Sequence, residues 1–223
     1  MQIFTSEPIC ENNYEIIVFE EPFSPAAEAY RRIKVSLEFS SEESGIKVVQ
    51  FCSANDCEAK TNLLLNLAAT FIEEGKKAVI VDLDLREPKI HSAFGGSGKI
   101  GLAEFLSDKI SLEETICHTE RGIDYITRGE NVGVPSALLG SSSLKNLFKE
   151  LKRLYSVVLV DCPSVLSVSD CCMSARLCDG TFFVVSQSKT SKKEAKNAIT
   201  ILKRNKVNIL GCIFCDVDER AKF

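Results

Sequence analysis

The residues best suited to chemistry lie in the segment 53–61 (SANDCEAKT), between a predicted strand and a predicted helix. In such a loop, backbone N–H groups and the positive end of the helix bind phosphate oxygens. A lysine reaches the β- and γ-phosphates, and a hydroxyl ligates Mg²⁺. Lys60 and Thr61 provide this lysine and this hydroxyl. The order strand, loop, Lys-Thr, helix therefore predicts a phosphate-binding loop.

The loop departs from the usual pattern because it lacks glycines. Ala59 and Cys57 stand where glycine is expected. Each adds a Cβ where the backbone approaches the phosphate and resists a positive φ, at a cost of ~1 kcal/mol or more. We therefore expect weakened nucleotide affinity. The residues predicted to bind nucleotide are Asn55, Asp56, Cys57, Glu58, Ala59, Lys60, Thr61 and Asn62.

Two carboxylates follow the second predicted strand, which ends in AVIVDLDLREP. Asp82 and Asp84 stand at positions i and i+2, so in an extended chain they point the same way. Beside a Lys-Thr loop, such a pair can hold Mg²⁺ and accept a proton. Arg86 could pair with one of them or with a phosphate. The ordinary alternative for this motif in isolation is a solvated acidic loop with a surface ion pair.

A further aspartate, Asp161, ends the apolar run at 156–161. One carboxylate at the end of a buried strand is the Walker B arrangement, which orients a magnesium shell. The Lys-Thr loop, the paired aspartates and Asp161 occur in this order, each at the end of a strand predicted for one sheet. Together they predict a nucleotide site.

The chain from residue 46 onward alternates short β-rich runs with helical periodicity. Several runs are apolar throughout, as expected of strands covered on both faces. This alternation predicts an α/β fold with three layers, in which helices cover both faces of a mostly parallel sheet. Ligands of such sheets bind at the carboxyl ends of the strands. The predicted strands are 47–53, 77–83, 123–127, 156–161, 180–186 and 207–215, and the predicted helices are 60–74, 102–107, 142–154, 168–177 and 191–204.

Another helix is predicted ahead of this core. Ser24 and Pro25 can cap and open it, and it runs to about Phe39. The segment SSEESG at 40–45 then ends it. The residues on its predicted apolar face are Ala26, Tyr30, Ile33 and Leu37.

The composition of the 223 residues, 45% hydrophobic and 26% charged, predicts a soluble globular protein with a sizeable core. No apolar run approaches the ~18–20 residues that cross a bilayer, and no secretory signal opens the sequence. We therefore expect a cytoplasmic location without a membrane span, and ten reduced cysteines. The net charge is −4, with −6 in residues 1–45 and +2 in the remainder, so no basic field indicates nucleic acid.

The chain resembles the bacterial tyrosine kinases of capsule and exopolysaccharide synthesis, from about residue 20 onward. The match is to the CpsD/CapB type and to the cytoplasmic domain of Wzc, which are P-loop proteins of the MinD/ParA-like class. VDLDLREP is the most specific segment, because the family's second Walker motif ends in this Asp-x-Asp-x-Arg-x-Pro pattern. The segments that match in order are EAYRRIKVSLEFS (28–40), the Lys60-Thr61 loop, VDLDLREP (81–88), GLAEFLSD (101–108), VPSALLGS (134–141), VVLVDCPSVLSVSD (157–170) and ILGCIFCDVD (209–218).

This resemblance implies an ATP-dependent protein-tyrosine autokinase that uses Mg²⁺. Lys60 would bind the β- and γ-phosphates, and Asp82 would help to activate the tyrosine hydroxyl. Asp84 would act at the metal. The implied catalytic residues are thus Lys60, Asp82 and Asp84, and the implied magnesium ligands are Thr61, Asp84 and Asp161.

The resemblance also implies how the chain assembles. Glu28, Arg31 and Lys34 fall on the family's Glu-x-x-Arg-x-x-Arg pattern for ring assembly, although Lys34 lacks the bidentate pairing of an arginine. We therefore divide the chain into residues 1–45, an N-terminal arm and assembly helix, and residues 46–223, a P-loop nucleotide-binding, kinase-like domain. The implied partner is a membrane-anchored polysaccharide chain-length regulator, which activates the kinase and holds it at the inner face of the cell membrane.

Two features favour weak or lost kinase activity. The loop glycines are missing, and the tyrosine-rich tail of the family has no counterpart among the four tyrosines of this sequence, at positions 14, 30, 125 and 155. The alternative is therefore a catalytically impaired pseudokinase that acts as a regulatory module. A ParA/MinD-type ATPase is disfavoured, because Asn55 stands where those proteins place a second lysine.

Overall fold

The computed structural model describes residues 14–56, 59–130 and 133–216. Within these ranges, helices and strands alternate as the sequence predicts. The helices are α1 (Ile17–Glu20), α2 (Pro25–Ser44), α3 (Lys60–Ile72), α4 (Ile90–Ala93), α5 (Leu102–Leu106), α6 (Leu112–Thr115), α7 (Pro135–Leu139), α8 (Ser142–Leu154), α9 (Asp170–Ser174) and α10 (Lys192–Arg204). The strands are β1 (Val48–Ser53), β2 (Ala78–Asp82), β3 (Cys117–His118), β4 (Asp124–Ile126), β5 (Val157–Asp161), β6 (Gly180–Ser186) and β7 (Ile209–Cys215).

The strands of the described residues form one sheet in the order β3-β4-β2-β5-β1-β6-β7. Every neighbouring pair is parallel except β3 and β4, which are antiparallel at one edge. Because β5 lies between β1 and β2, the carboxyl ends of these three strands come together. The predicted mostly parallel sheet is confirmed.

Successive residues of a strand pack on opposite faces of the sheet, and each face has its own helices. Val49 and Phe51 of β1 belong to a core cluster that includes residues of α2 and α3. Val48 and Cys52 belong to a second cluster, which includes residues of α8 and α10. A strand covered in this way needs apolar residues at consecutive positions, which is why apolar runs indicated the strands. The predicted three-layer architecture is confirmed.

Helix α2 starts as predicted. Ser24 Oγ accepts a hydrogen bond from Ala27 N at 3.1 Å, and Pro25 occupies the first turn. A proline fits there because a first-turn N–H has no partner within the helix. The buried face differs from the prediction, because Ala27, Ala29 and Lys34 are also buried and Ala26 is only half-buried. That buried face holds Ala27, Ala29, Tyr30, Ile33, Lys34 and Leu37.

The same helix is longer than predicted. It passes Phe39 and continues to Ser44, and Gly45 then ends it with a φ of 67°. The N–H of Gly45 donates to the Ser41 carbonyl at 2.8 Å, which closes the last turn. Serine and glutamate are tolerated in an exposed last turn, so only the glycine, which adopts a left-handed conformation without strain, stops the helix.

The prediction misses the edge strand β3 and four short helices, α1, α4, α6 and α7. Each of these helices holds four or five residues, which is too few to show a helical period in the sequence. The predicted helix 168–177 is also shorter in the structure, where α9 spans Asp170–Ser174. Of the helices in the described ranges, none is long and apolar enough to span a membrane.

The eight cysteines in the described ranges are free thiols, and three of them contact the side chain of Gln50 in the core. Cys162 Sγ and Ser174 Oγ donate to Gln50 Oε1 at 3.3 and 2.8 Å. Gln50 Nε2 donates to the Cys171 carbonyl at 3.3 Å. Burial raises the pKa of Cys162 and of Cys178, so these thiols stay protonated and serve as small core groups.

Candidate functional site

Lys60 is held inside the loop that joins β1 to α3. It is the first residue of α3 and only 5% exposed. Its Nζ donates to Ser53 Oγ at 2.9 Å, and Ser53 Oγ donates to the Asn55 carbonyl at 2.8 Å. The lysine therefore reaches back across the loop to the end of β1. From this position an ammonium group can contact phosphate oxygens that the loop binds.

Ala59 precedes this helix and has a negative φ. Its φ is −74° and its ψ is 37°. A negative φ is open to every L-amino acid, so the backbone penalty expected from the missing glycine is wrong at this position. The methyl group of Ala59 packs against the core cluster that includes residues of α2 and α3. Cys57 and Glu58, which were also predicted to bind nucleotide, lie outside the described residues.

Asp56 fastens one side of the loop to the segment that follows β5. Its carboxylate accepts hydrogen bonds from Ser164 N at 3.3 Å and from Ser167 Oγ at 3.0 Å. Burial acts to raise the pKa of Asp56, but the bonds from both serines and the charge of Lys60 hold that pKa below its usual value. Asp56 is therefore an ionised anchor of the loop.

Backbone hydrogen bonds extend this contact. Val165 N donates to the Ser53 carbonyl at 2.9 Å, and Leu166 N donates to the Ala54 carbonyl at 3.3 Å. The segment after β5 thus forms one wall of the phosphate loop. No motif in the sequence predicts this contact, and the only signal for it is the serines at 164, 167 and 169, which are separated by apolar residues.

Asn55 and Asn62, both predicted to bind nucleotide, have protein partners. The pKa of Glu194, in the first turn of α10, is lowered by the bonds with Ser191 and further by the neighbouring Asn55 side chain. Asn62 Oδ1 accepts from Asn66 Nδ2 at 3.2 Å within α3. The structure therefore gives both side chains a supporting contact, and their part in nucleotide binding stays a prediction.

Thr61 and Asp161 are directly hydrogen-bonded. Thr61 Oγ1 donates to Asp161 Oδ2 at 3.1 Å, and both residues are buried. Asp161 Oδ1 is also buried and has no hydrogen-bond partner among the described residues. Burial raises the pKa of Asp161, Lys60 opposes this shift, and Asp84 adds to it. A buried carboxylate oxygen without a donor is unfavourable unless a bound group supplies its partner.

Asp82 lies beside Asp161, because the two residues are register partners on β2 and β5. It is fully buried. Its Oδ1 accepts from Asp84 N, and its Oδ2 accepts from Lys89 N and Ile90 N, each at 3.1 Å. Burial and the charge of Asp161 raise the pKa of Asp82 well above its usual value. A carboxylate of this kind suits a proton acceptor.

Asp84 is not part of β2, so the expected extended geometry is wrong there. The strand ends at Asp82, and Asp84 Oδ1 accepts hydrogen bonds from Arg86 N at 3.3 Å and Glu87 N at 3.0 Å. Aspartate commonly stabilises a turn in this way. Asp84 stays half-buried, and its charge raises the pKa of Asp161, so it still belongs to the site.

Arg86 pairs with Asp170, not with Asp82 or Asp84 as the sequence suggested. Arg86 Nε donates to Asp170 Oδ2 at 3.0 Å. The turn at Asp84 directs the arginine away from the end of β2 and toward α9. Asp170 is 2% exposed, and a buried carboxylate needs a charged or hydrogen-bonding partner. The pair therefore links the turn after β2 to the start of α9.

The oxygen donors of the site suit Mg²⁺. Hydroxyl and carboxylate oxygens are its preferred ligands, and Mg²⁺ in nucleotide sites is typically held by one or two carboxylates with phosphate oxygens and water. Thr61, Asp84 and Asp161 could supply the protein ligands, and the unpartnered Oδ1 of Asp161 fits a cation. In the described part of the chain, no group of three or more His, Cys, Asp or Glu side chains forms a metal centre by itself. A magnesium ion here would therefore depend on phosphate and water for the rest of its coordination.

Two of the three residues predicted to mediate assembly, Arg31 and Lys34, contact the end of α3 in the same chain. Arg31 donates from Nε and Nη2 to the two carboxylate oxygens of Glu73 at 3.0 and 2.8 Å. Lys34 is 4% exposed and forms an ion pair with Glu74. The side chain of Glu28 is 53% exposed. These pairs hold α2 on α3, and ring assembly through them stays a prediction.

The sheet order, the Lys-Thr loop and the aspartates at the ends of β2 and β5 define a P-loop nucleotide-binding protein. No protein-family profile matches the chain. The tyrosine-protein kinase YwqD of Bacillus subtilis is 35% identical over 199 residues, which cover 89% of this chain and 84% of YwqD. The chain therefore belongs to the bacterial tyrosine-protein kinase family, as its motifs predicted.

Other relatives agree with this assignment. The kinase domain of the Escherichia coli tyrosine kinase ETK matches with a TM-score of 0.90 and 29% identity, over 100% of this chain and 91% of that chain. The tyrosine-protein kinase etk of Escherichia coli strain K12 is 31% identical over 210 residues, which are 94% of this chain but only 29% of etk. The septum site-determining protein MinD of Pyrococcus horikoshii, complexed with Mg-ADP, has a TM-score of 0.61 at 22% identity over 75% of this chain and 69% of that chain. MinD shares the fold, which confirms the predicted P-loop class.

Proposed function

We propose that this chain is an ATP-dependent protein-tyrosine kinase of capsule or exopolysaccharide synthesis. The observation that carries the proposal is the meeting of Lys60, Thr61 and Asp161 at one end of the sheet, with Asp82 beside them. A loop lysine and an unpartnered carboxylate oxygen are features that a magnesium nucleoside triphosphate requires. YwqD and etk are named tyrosine-protein kinases, which supports tyrosine as the acceptor. The link to polysaccharide synthesis rests on the sequence resemblance.

Each residue of the site has a distinct task in this proposal. Lys60 would give up its hydrogen bond to Ser53 and donate to the β- and γ-phosphate oxygens instead. Thr61, Asp84 and Asp161 would hold Mg²⁺, which would neutralise charge on the phosphates. Asp82 accepts the proton of the tyrosine hydroxyl, because burial and its neighbour Asp161 raise its pKa.

The pseudokinase alternative depends largely on the missing loop glycines. At Ala59 the backbone needs no glycine, because its φ is −74°. Lys60, Thr61 and Asp161 all keep contacts that suit a working phosphate loop. We therefore favour an active kinase over an impaired one.

Nucleotide binding tests the site. We expect the purified protein to bind a fluorescent ATP analogue in the presence of Mg²⁺. The affinity should fall at least about tenfold when EDTA removes Mg²⁺, and at least about tenfold in the Lys60→Met variant. Binding that is unchanged by both would contradict the assigned site. Transfer of phosphate to a synthetic tyrosine polymer then separates the two candidates, because a pseudokinase binds the analogue but labels nothing.

We also propose that a membrane-anchored chain-length regulator is the partner of this chain and holds it at the inner face of the cell membrane. The resemblance carries this proposal, and the match to etk supports it, because most of the length of etk lies outside the region shared with this chain. We expect co-expression with such a regulator to move the chain into the membrane fraction and to increase its phosphorylation. A distribution that the regulator leaves unchanged would contradict the proposal.

Self-association through α2 is the remaining part of the proposal. Glu28, Arg32, Val35 and Phe39 are exposed and recur at helical spacing, so they lie on one outward face. Val35 is 45% exposed and Phe39 is 64% exposed, and neighbouring exposed apolar side chains often mark an interface. Light scattering should show oligomers that Phe39→Asp shifts toward the monomer. A wild-type monomer at all concentrations would contradict this part.

A further inference from the structure

The side chain of Lys89 crosses the phosphate-binding end of the sheet. Lys89 follows the turn after β2 and is half-buried. Its backbone N–H donates to Asp82 Oδ2, at the end of β2, at 3.1 Å. Its Nζ lies 3.5 Å from the carbonyl oxygen of Asp56, in the loop after β1. Because β5 lies between β1 and β2, a side chain that joins these two points passes over the carboxyl end of β5, where Asp161 lies.

The ammonium group of Lys89 has few partners for a cation. It has three N–H groups to donate, and the contact with the Asp56 carbonyl is longer than the ~3.2 Å that such bonds usually reach. Arg86, from the same turn, pairs with Asp170 at 3.0 Å, whereas in the described part of the chain no carboxylate forms an ion pair with Lys89. The ammonium group can therefore donate to an anionic ligand without breaking an ion pair to a described residue.

Lys60 and Lys89 reach the site from the two strands that flank β5. Lys60 Nζ is bound to Ser53 Oγ at the end of β1, whereas Lys89 is anchored at the end of β2. Burial raises the pKa of Asp161, and the charges of both lysines oppose this rise, which agrees with two ammonium groups near this carboxylate. The phosphate loop itself lacks a second lysine, because Asn55 stands where ParA/MinD-type ATPases place one.

The proposed reaction indicates which phosphate Lys89 can reach. Asp82 takes the proton of the hydroxyl that attacks the γ-phosphorus, so the γ-phosphate must lie between the phosphate loop and Asp82. Lys89 is bound to Asp82 by its N–H and reaches the loop with its Nζ, so its side chain spans this interval.

We propose that Lys89 is a second phosphate-binding lysine, which donates to the γ-phosphate oxygens of a nucleoside triphosphate. This inference rests on the proposed function. It adds a residue to the site and a preference for the triphosphate, because a nucleoside diphosphate has no γ-phosphate for Lys89 to contact. Lys89 would give up only its long contact with a neutral carbonyl oxygen in exchange for a charged acceptor.

Titrations with fluorescent ATP and ADP analogues that carry the same fluorophore test this contact in the presence of Mg²⁺. We expect Lys89→Met and Lys89→Gln, which remove the charge, to bind the ATP analogue about tenfold or more weakly than the wild type. Their affinity for the ADP analogue should fall less than about threefold. Lys89→Arg keeps the charge and should recover most of the affinity for the ATP analogue.

Lys77→Met is the matched control. Lys77 is exposed and precedes β2, so it lies at the opposite end of the sheet. This variant removes the same charge from the chain and should bind both analogues as the wild type does. Because the test compares two affinities in one preparation, partial unfolding of a variant does not change their ratio.

The remaining outcomes separate this inference from the proposed function. Equal losses for the two analogues would overturn the inference, because Lys89 would then support the site without contacting the γ-phosphate. No loss for either analogue, or an arginine variant as weak as Lys89→Met, would overturn it too. In these cases the proposed function stands if the wild type binds the ATP analogue and Lys60→Met binds it more weakly. A wild type that binds neither analogue would contradict both.

Discussion

Asp82 and Asp161 face each other as register partners at the ends of two neighbouring parallel strands, and both are buried. Burial raises the pKa of each, and the charge of Asp161 raises the pKa of Asp82 further. Two buried carboxylates repel each other when no cation lies near them. In the nucleotide-free chain, this repulsion therefore lowers the stability of the fold. A bound cation would relieve the repulsion.

Removing one of these charges should stabilise the nucleotide-free chain. We expect Asp161→Asn to increase the free energy of unfolding by about 1–2 kcal/mol, because it removes a buried charge and keeps an oxygen for the Thr61 bond. Urea unfolding measures this change. Asp84→Asn is the matched control, with a smaller gain because Asp84 is half-buried. A less stable Asp161→Asn would contradict the account of the site.

The same pair should make stability depend on pH. The pKa of each aspartate is raised above its usual value of 3.8, so the folded chain binds these protons more tightly than the unfolded chain. The resulting stability is complete below the unfolded pKa and is lost as pH rises through the raised pKa. We therefore expect the urea midpoint of the wild type to fall as pH rises above the usual carboxyl pKa of 3.8. The urea midpoint should fall less with rising pH in Asp161→Asn than in the wild type. The same pH dependence in both proteins would contradict the contribution of the aspartate pair.

Restoring the missing glycine should bring little benefit. Ala59 has a φ of −74°, and its methyl group packs on the core, so Ala59→Gly relieves no strain from a positive φ. We expect the Kd for a fluorescent ATP analogue to stay within about threefold of the wild-type value, which is under 1 kcal/mol. The flexible glycine should instead reduce stability slightly. A tenfold or larger gain in affinity would show that the methyl group obstructs the phosphate.

A different glycine should be important for the fold at the start of α5. A Cβ added at Gly101 would overlap the carbonyl oxygen of Thr127, which is backbone and cannot rotate away. We expect Gly101→Ala to reduce the free energy of unfolding by about 2 kcal/mol or more. Gly75→Ala is the control, because its φ is +71° but no described atom lies within 4 Å of the added Cβ. That change should lose only about 1 kcal/mol, and equal losses would rule out the steric explanation.

The strands and the groups at their ends could be predicted because both follow from one constraint. A strand covered on both faces needs an unbroken apolar run, and the first polar residue after the run lies at the end of the sheet. Asp82 and Asp161 end their runs in this way, and Lys60 begins the helix that follows β1. The order of these boundaries along the chain was enough to predict the site.

Local geometry at the same boundaries could not be predicted, because distant contacts decide it. The φ of Ala59 belongs to a loop that is held by hydrogen bonds from the segment after β5, and Asp84 turns away from the strand to accept two backbone N–H groups. The position of the segment ahead of α1 depends on Asn66, which binds this segment from another helix. Apart from the N–H groups of Arg86 and Glu87, which lie two and three residues from Asp84, these partners are distant in sequence, so no local motif indicates them.

The central claim is that the buried aspartate pair serves phosphoryl transfer to tyrosine. The most direct test compares wild type and Asp82→Asn in the transfer of the γ-phosphoryl group from Mg·ATP to a tyrosine polymer. We predict measurable wild-type transfer and a decrease in kcat of about 100-fold or more in the variant, since a proton acceptor typically contributes that much. Binding of the ATP analogue should persist in the variant. No transfer by the wild type, or equal transfer by both proteins, would contradict the claim.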